Sequence, residues 1–242
     1  MSKMINNEIY EEYGDRWYTD DRDPVALLRE EGNFTSEWIS NLHKNQKLKI
    51  LDMGCGGGFL SNKLAIDGHQ VTGVDLSQSS LDVASRYDIT NSAKYVYGTV
   101  TDLPFADESF DIVCCMDLLE HVSCPENVIR EASRVLRKNG RFYFLTFSRN
   151  WISYLVIIKL VEWLVPNTPK NLHLLSMFIN PIELKLIFNK VKLEQKFISG
   201  FRPKIFNWSI WKSLLQRKIV PGIKFSWTKS LLTAYAGHCT KL

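Results

Sequence analysis

The sequence predicts an α/β fold: a doubly wound, mostly parallel sheet with an antiparallel last strand and helical inserts. Two observations carry this. Between Leu48 and Phe147, short apolar runs alternate with segments of helical spacing, the pattern of a parallel sheet covered on both faces. The 242 residues, 45% of them hydrophobic, suffice for one full α/β domain and exclude general disorder.

Each element has its own local reason. Residues 1–45 read as an N-terminal helical segment, with Asp23 to His43 packed as a helix before the first strand. Leu48 to Met53 is a short apolar run ending at Gly54, a buried strand. Phe59 to Ile66 has helical spacing, and Gln70 to Val74 is a second strand. Ser77 can cap a helix to about Tyr87. Lys94–Tyr97 and Phe110–Met116 follow as strands. Ser123 and Glu126 form a capping-box pattern before a helix to Lys138, which Asn139-Gly140 ends ahead of a fifth strand, Arg141–Phe147.

The second half departs from this rhythm. Trp151 to Val165 is apolar almost all round, yet its about 15 residues fall short of the roughly 20 that span a bilayer. Pro166 and Pro169 break it. Asn180-Pro181-Ile182-Glu183 is a helix start, with Asn as cap and Pro at the first helical position. Leu193–Ile198 reads as a strand, Phe206–Val220 as a helix and Leu232–Thr240 as the last strand. The chain is thus expected to be a single domain, 1–242, with an apolar insert or lid over 149–180 and a basic aromatic insert over 201–229.

Composition narrows the setting. The five cysteines are odd in number and include no CxxC pair, which fits a reduced cytosol rather than a disulfide framework or zinc knuckle. Met1 to Glu12 is polar and acidic, unlike a secretory signal. Residues 1–150 carry a net charge of −7 and residues 151–242 one of +11. A basic, aromatic half attracts anionic partners. Its basic residues alternate with bulky aliphatics and no recognition motif is present, which argues against nucleic acid.

The strongest motif is Leu51-Asp52-Met53-Gly54-Cys55-Gly56-Gly57-Gly58-Phe59. A strand runs into a glycine turn and then a helix. Gly54 and Gly56 let a ligand touch the backbone, and Gly58 lets the following helix sit close. Asp75, ending the second strand, can accept both hydroxyls of a ribose. A dinucleotide site would read G-x-G-x-x-G, and a P-loop would continue into Gly-Lys-Ser/Thr. Here an acid leads the glycines. It would repel a pyrophosphate but suits the ammonium and sulfonium of S-adenosylmethionine.

This pattern resembles the class I S-adenosylmethionine-dependent methyltransferases, whose sheet is Rossmann-like. The resemblance implies that Asp52, Gly54, Gly56, Gly58, Asp75 and Leu76 hold the cofactor, that Thr99 and Val100 meet the adenine, and that Met116 lies near the methionine part. More closely, the chain is similar to the ubiquinone-biosynthesis O-methyltransferase family, which methylates hydroxyls on polyprenylated rings. That family reads Met-Glu-Met-Leu-Glu-His-Val where this chain has Met116-Asp117-Leu118-Leu119-Glu120-His121-Val122. Its Thr-Val matches Thr99-Val100, and its apolar insert ending in Val-Pro matches Trp151 to Val165-Pro166. The likeness fades over Phe201 to Lys229.

Asp117, Glu120 and His121 are spaced i, i+3 and i+4, so one helical turn would project all three from one face. Two carboxylates and an imidazole suit Mg²⁺, Zn²⁺ or Mn²⁺, and such a metal would acidify a catechol oxygen. Alternatively His121, with Glu120, is the catalytic residue and His121 acts as general base. The resemblance implies O-methylation of a lipophilic phenol or catechol by a cytoplasmic enzyme peripheral on the membrane, in complex with other enzymes of the same synthesis. In relatives the insert touches lipid; here Trp151, Tyr154 and Trp163 would sit at headgroup level on an anionic surface. Two rivals stand beside it: a metal-independent methyltransferase for another lipid or secondary metabolite, and a catalytically silent membrane-bound assembly factor.

Overall fold

The structure is a computed structural model that describes residues 5–242; the first residues of the N-terminal segment 1–45 lie outside the described range. Two short helices, α1 (Ile9–Glu12) and α2 (Arg16–Thr19), precede the long α3 (Val25–Leu42). Then come β1 (Lys49–Met53), α4 (Phe59–Ile66), β2 (Gln70–Asp75), α5 (Gln78–Arg86), β3 (Lys94–Tyr97) and β4 (Phe110–Met116). A 3₁₀ turn, Leu119–His121, leads to α6 (Pro125–Val135) and β5 (Leu136–Phe147). Ser77 caps α5 as its position suggests, its side chain accepting from the Ser80 N–H.

The start of α6 differs from expectation. Pro125 opens the helix behind Cys124 and no side chain caps it, so the Ser123/Glu126 box does not form. The helix also stops at Val135, because the buried Leu136 is already extended and pairs with Phe110 of β4. Asn139, at φ 63°, therefore bends the early part of β5 instead of ending a helix.

The insert is a helical rod: α7 (Trp151–Ser153), a π-helical stretch Tyr154–Leu160, and α8 (Val161–Leu164). Asn150 caps it by accepting from the Ile152 and Ser153 N–H groups. Ile158 and Val165 face the core, whereas Trp151, Tyr154, Leu155, Leu160 and Trp163 are exposed. One face of the segment is thus packed on the core and the other is open to solvent. Among the described residues no helix is long and apolar enough to cross a membrane.

The remainder is α9 (Pro181–Lys190), β6 (Leu193–Pro203), α10 (Trp208–Gln216), β7 (Phe225–Thr228) and β8 (Ala234–Lys241). Asn180 and Glu183 form a true capping box on α9. The eight strands are ordered β3-β2-β1-β4-β5-β8-β6-β7. β1 to β5 pair in parallel; β8 runs antiparallel to β5 and β6, and β7 antiparallel to β6. The stretch 201–229 is therefore not only an insert. It completes β6 and adds β7, whose Phe225 stacks on Phe201 at 4.7 Å under Phe34 of α3. Strand order reverses between β1 and β4, which opens a crevice at their carboxyl ends, where ligands bind in such sheets.

Candidate active site

That crevice is a cavity of ≈ 230 Å³. Its walls are the turn after β1, the end of β2, the turn after β4 and one face of α3, with residues 7–17 laid across it. Asp52, Gly54, Gly56, Asp75, Leu76, Val100 and Met116 all line it. Gly58 does not: at φ 81° it caps α4, and a Cβ there would meet the Ala84 Cβ at 2.7 Å, so its part is to let α4 approach α5. Thr99 also stands outside, half-buried, with its hydroxyl bonded to that of Thr101 at 2.8 Å.

Asp75 organises the loop. Its carboxylate accepts from the Gly56 N–H at 2.8 Å and from the Ser77 N–H at 2.9 Å, tying the glycine turn to the start of α5. Gly56 has φ 48°, and a Cβ on it would lie 2.6 Å from the Trp17 ring, so only glycine fits beneath that indole. Asp52 accepts from the Ser61 hydroxyl at 2.7 Å, and burial pushes its carboxyl up to about 6.

The turn after β4 is not the single helical turn the spacing suggests. Asp117 adopts φ 49° and the 3₁₀ turn begins only at Leu119. Its carboxyl meets that of Glu31, on α3; burial pushes both groups up, and the neighbouring Glu31 raises Asp117 further while the contact with Asp117 partly offsets the rise of Glu31. The trio Asp117, Glu120 and His121 does not assemble. Among the described residues, the group that does is Glu120, His121 and His173, with donor atoms within 4.8 Å of one another.

Glu120 is fully buried. One oxygen accepts from the Thr146 hydroxyl at 2.7 Å, the other has no partner among the described residues, and burial pushes the carboxyl up to about 8. Burial pushes His121 down to about 4 and lowers His173 as well; their rings stand 5.1 Å apart. At neutral pH both are uncharged imidazoles with a lone pair to offer. His121 is also clasped by Asn7, and Tyr10 meets its ring edge-on at 5.8 Å.

Glu31, Asn7, Tyr10, Trp17 and His173 carry no signal in the sequence, since each reaches the site through long-range packing. The acid pattern of Glu30-Glu31 on a predicted helix is the one available hint, and it reads equally as a solvated face.

Among the described residues, the cavity is lined by four carboxyl groups, Glu31, Asp52, Asp75 and Asp117, and by no Lys or Arg. Glu31 and Asp117 are held toward their neutral forms, so it is Asp52 and Asp75, with no Lys or Arg beside them, that make the cavity repel a pyrophosphate and welcome a sulfonium and an ammonium. With the acid at the end of β2 held by the glycine turn, fold and site together define a class I S-adenosylmethionine-dependent methyltransferase.

Residues 51–144 match a family model described as "Methyltransferase domain". The chain is 38% identical over 181 residues to the ubiquinone biosynthesis O-methyltransferase of Photobacterium profundum, covering 73% of this chain and 77% of that one. It is 33% identical over 205 residues to the enzyme of the same name from Pseudomonas putida, covering 83% and 88%. The chain belongs to the ubiquinone biosynthesis O-methyltransferase family. Solved structures share the fold at low identity. Magnesium protoporphyrin IX methyltransferase from Synechocystis PCC 6803, with bound SAH, superposes with a TM-score of 0.64 at 16% identity, over 98% of this chain and 95% of that one. Geranyl diphosphate C-methyltransferase from Streptomyces coelicolor A3(2) gives 0.60 at 16% identity, over 87% and 76%.

Proposed function

We propose that this enzyme methylates a hydroxyl of a lipophilic phenol or catechol, of the kind that precedes a polyprenylated quinone. The observation that carries this is the buried, uncharged His121 at the edge of an acid-walled cavity lined by Asp75. S-adenosylmethionine, when bound, supplies a methyl group on a positively charged sulfur. The chain's own residues do the rest. Asp75 and the Gly56 backbone hold the nucleoside, Trp17 and Tyr10 exclude water from above, and His121 accepts the acceptor's hydroxyl proton as the oxygen attacks in line. The test is methyl transfer to a short-tailed demethyl-quinol. Failure on that acceptor with tight cofactor binding would favour the rival acceptor classes; failure to bind cofactor would favour a silent assembly factor.

A second role for His121 rests on the group Glu120, His121 and His173. Two imidazoles and a carboxylate with one unpartnered oxygen suit a catalytic Zn²⁺ more than Mg²⁺, which prefers an all-oxygen shell. A metal there would lower the pKa of the acceptor hydroxyl, and chelator sensitivity of the assay separates this role from that of a simple base.

Peripheral attachment to the cytoplasmic face of a membrane accompanies this reading. The exposed side of the insert offers Trp151, Tyr154, Leu155, Leu160 and Trp163, an apolar stripe of the kind that marks an interaction surface. Arg217, at the end of α10, donates to the Trp163 carbonyl at 2.9 Å and joins that helix to the insert. Next to α10, register places Arg202 opposite Ser226, and Lys204 bonds to the Lys224 carbonyl at 2.7 Å. Arg202, Lys204 and Lys224 line one surface pocket beside the fully exposed Phe206, and none is in an ion pair among the described residues. Three cations beside bare aromatic side chains complement an anionic lipid surface.

A further inference from the structure

The segment ahead of α1 makes contacts that a passive tail would not need. The Asn6 N–H donates to the Asn171 carbonyl at 3.1 Å, which anchors the chain to the end of the insert. Asn7, itself exposed, clasps a residue 114 positions away: its side-chain amide N–H donates to the His121 carbonyl at 3.0 Å, and its Oδ1 lies 3.1 Å from His121 Nδ1. Farther on, the Glu11 carboxylate accepts from the Gln78 and Ser79 N–H groups at the start of α5, and Trp17 lies over the glycine turn and donates to the Ser80 hydroxyl. Residues 6–17 thus form a strap from the acceptor side of the site to the nucleoside side.

The two bonds at Asn7 are not interchangeable. A carbonyl such as that of His121 can only accept, so it must face the NH₂ half of the amide. That orientation leaves Oδ1 toward the imidazole, and an amide oxygen can only accept as well. His121 Nδ1 must therefore carry the hydrogen, and in a neutral ring the lone pair is then on Nε2. Among the described residues the other neighbours do not fix the tautomer: the His173 ring can donate or accept, the Glu120 carboxyl can accept or, when protonated, donate, and Tyr10 presents its ring edge-on.

We propose that Asn7 is a positioning residue for His121: it locks the Nδ1–H tautomer, keeps Nε2 as the working nitrogen, and does so only with the strap seated over the cofactor cavity. This rests on the reading of His121 as base or metal donor, since either role needs a lone pair on a fixed nitrogen. Removal of such an orienting partner lowers metal affinity or activity about 10–100-fold in metal-binding histidine sites, and a loss of that order is expected here.

The test reads the tautomer directly. The chain has five histidines, few enough for ¹⁵N–¹H correlation spectra of the imidazoles to be assigned with His121→Ala as the reference. In the wild type, His121 is expected as the Nδ1–H form. Asn7→Asp keeps an acceptor at Nδ1 but gives up the donor to the His121 carbonyl, so it should keep the Nδ1–H form with kcat reduced less than in Asn7→Leu. Asn7→Leu, close in size but without polar atoms, should give a mixed or Nε2–H ring and lower kcat about 10–100-fold, with KM for the cofactor changed much less. A wild-type Nε2–H ring overturns the proposal, as does an Asn7→Leu ring still wholly Nδ1–H. Because the spectra need no turnover, an intact tautomer pattern in a protein that does not methylate quinols would overturn the functional reading while leaving the role of Asn7 standing.

Discussion

Asp75→Ala is the perturbation with the most direct link from geometry to binding. A carboxylate offers about four lone-pair sites. Two are spent inside the protein, on the Gly56 and Ser77 N–H groups at 2.8 and 2.9 Å. The other two remain for the ribose hydroxyls. Each hydrogen bond to a charged group contributes about 1.5–3 kcal/mol net, so losing even one of the two ribose bonds should weaken S-adenosylmethionine binding about 10–150-fold, and losing both should weaken it further. The glycine turn loses its acceptor too, which adds to the effect. Asp75→Asn should not rescue it. An amide has a single acceptor oxygen, so its NH₂ must face one of the two backbone donors. Isothermal titration calorimetry measures the loss, and circular dichroism shows whether the variant is folded. An unchanged dissociation constant in a folded Asp75→Ala protein would refute the placement of the ribose at Asp75, and with it the cofactor geometry that follows from that placement.

His121→Ala should abolish turnover, a loss of at least about 100-fold, with cofactor affinity nearly intact by calorimetry; if chelator reproduces that loss and Zn²⁺ restores the wild type, His121 acts through a metal. The stability of the cofactor-free protein should fall between pH 6.5 and 8. Glu120, raised to about 8, holds a proton in the folded state that the unfolded chain has already released, so stability is lost as pH rises toward 8, by up to about 1.4 kcal/mol per pH unit for each such proton. Thermal melts across that range check the sign, and Glu120→Gln should flatten the slope. Replacing the exposed Trp151 and Trp163 with glutamate should weaken flotation with anionic liposomes and hurt long-tailed acceptors more than short ones; a wild type that ignores such liposomes at low salt removes the membrane claim. Ile158 is the wrong residue for that test, because it is buried and its replacement would disturb the core.

Local chemistry alone determined much of this protein. Strand and helix alternation from β1 to β5, the Ser77 and Asn180 caps, and the glycine turn with Asp52 and Asp75 are all decided by neighbours within a few residues, where period and capping rules act. Tertiary structure decided the rest. The spacing of Asp117, Glu120 and His121 implied a shared helical face, but the left-handed backbone at Asp117 sends its carboxyl to Glu31 on α3. His173 joins Glu120 and His121 only because the insert's far end folds back over the turn after β4, and Asn7 reaches His121 only because the strap crosses the cavity. The insert is apolar on all sides in sequence, so which face is buried depends on the core beneath it, Ile158 turning inward and Trp151 outward. The π-helical stretch, the edge strand β7 and the early end of α6 were likewise illegible, since each is set by pairing and packing with chain far away in sequence.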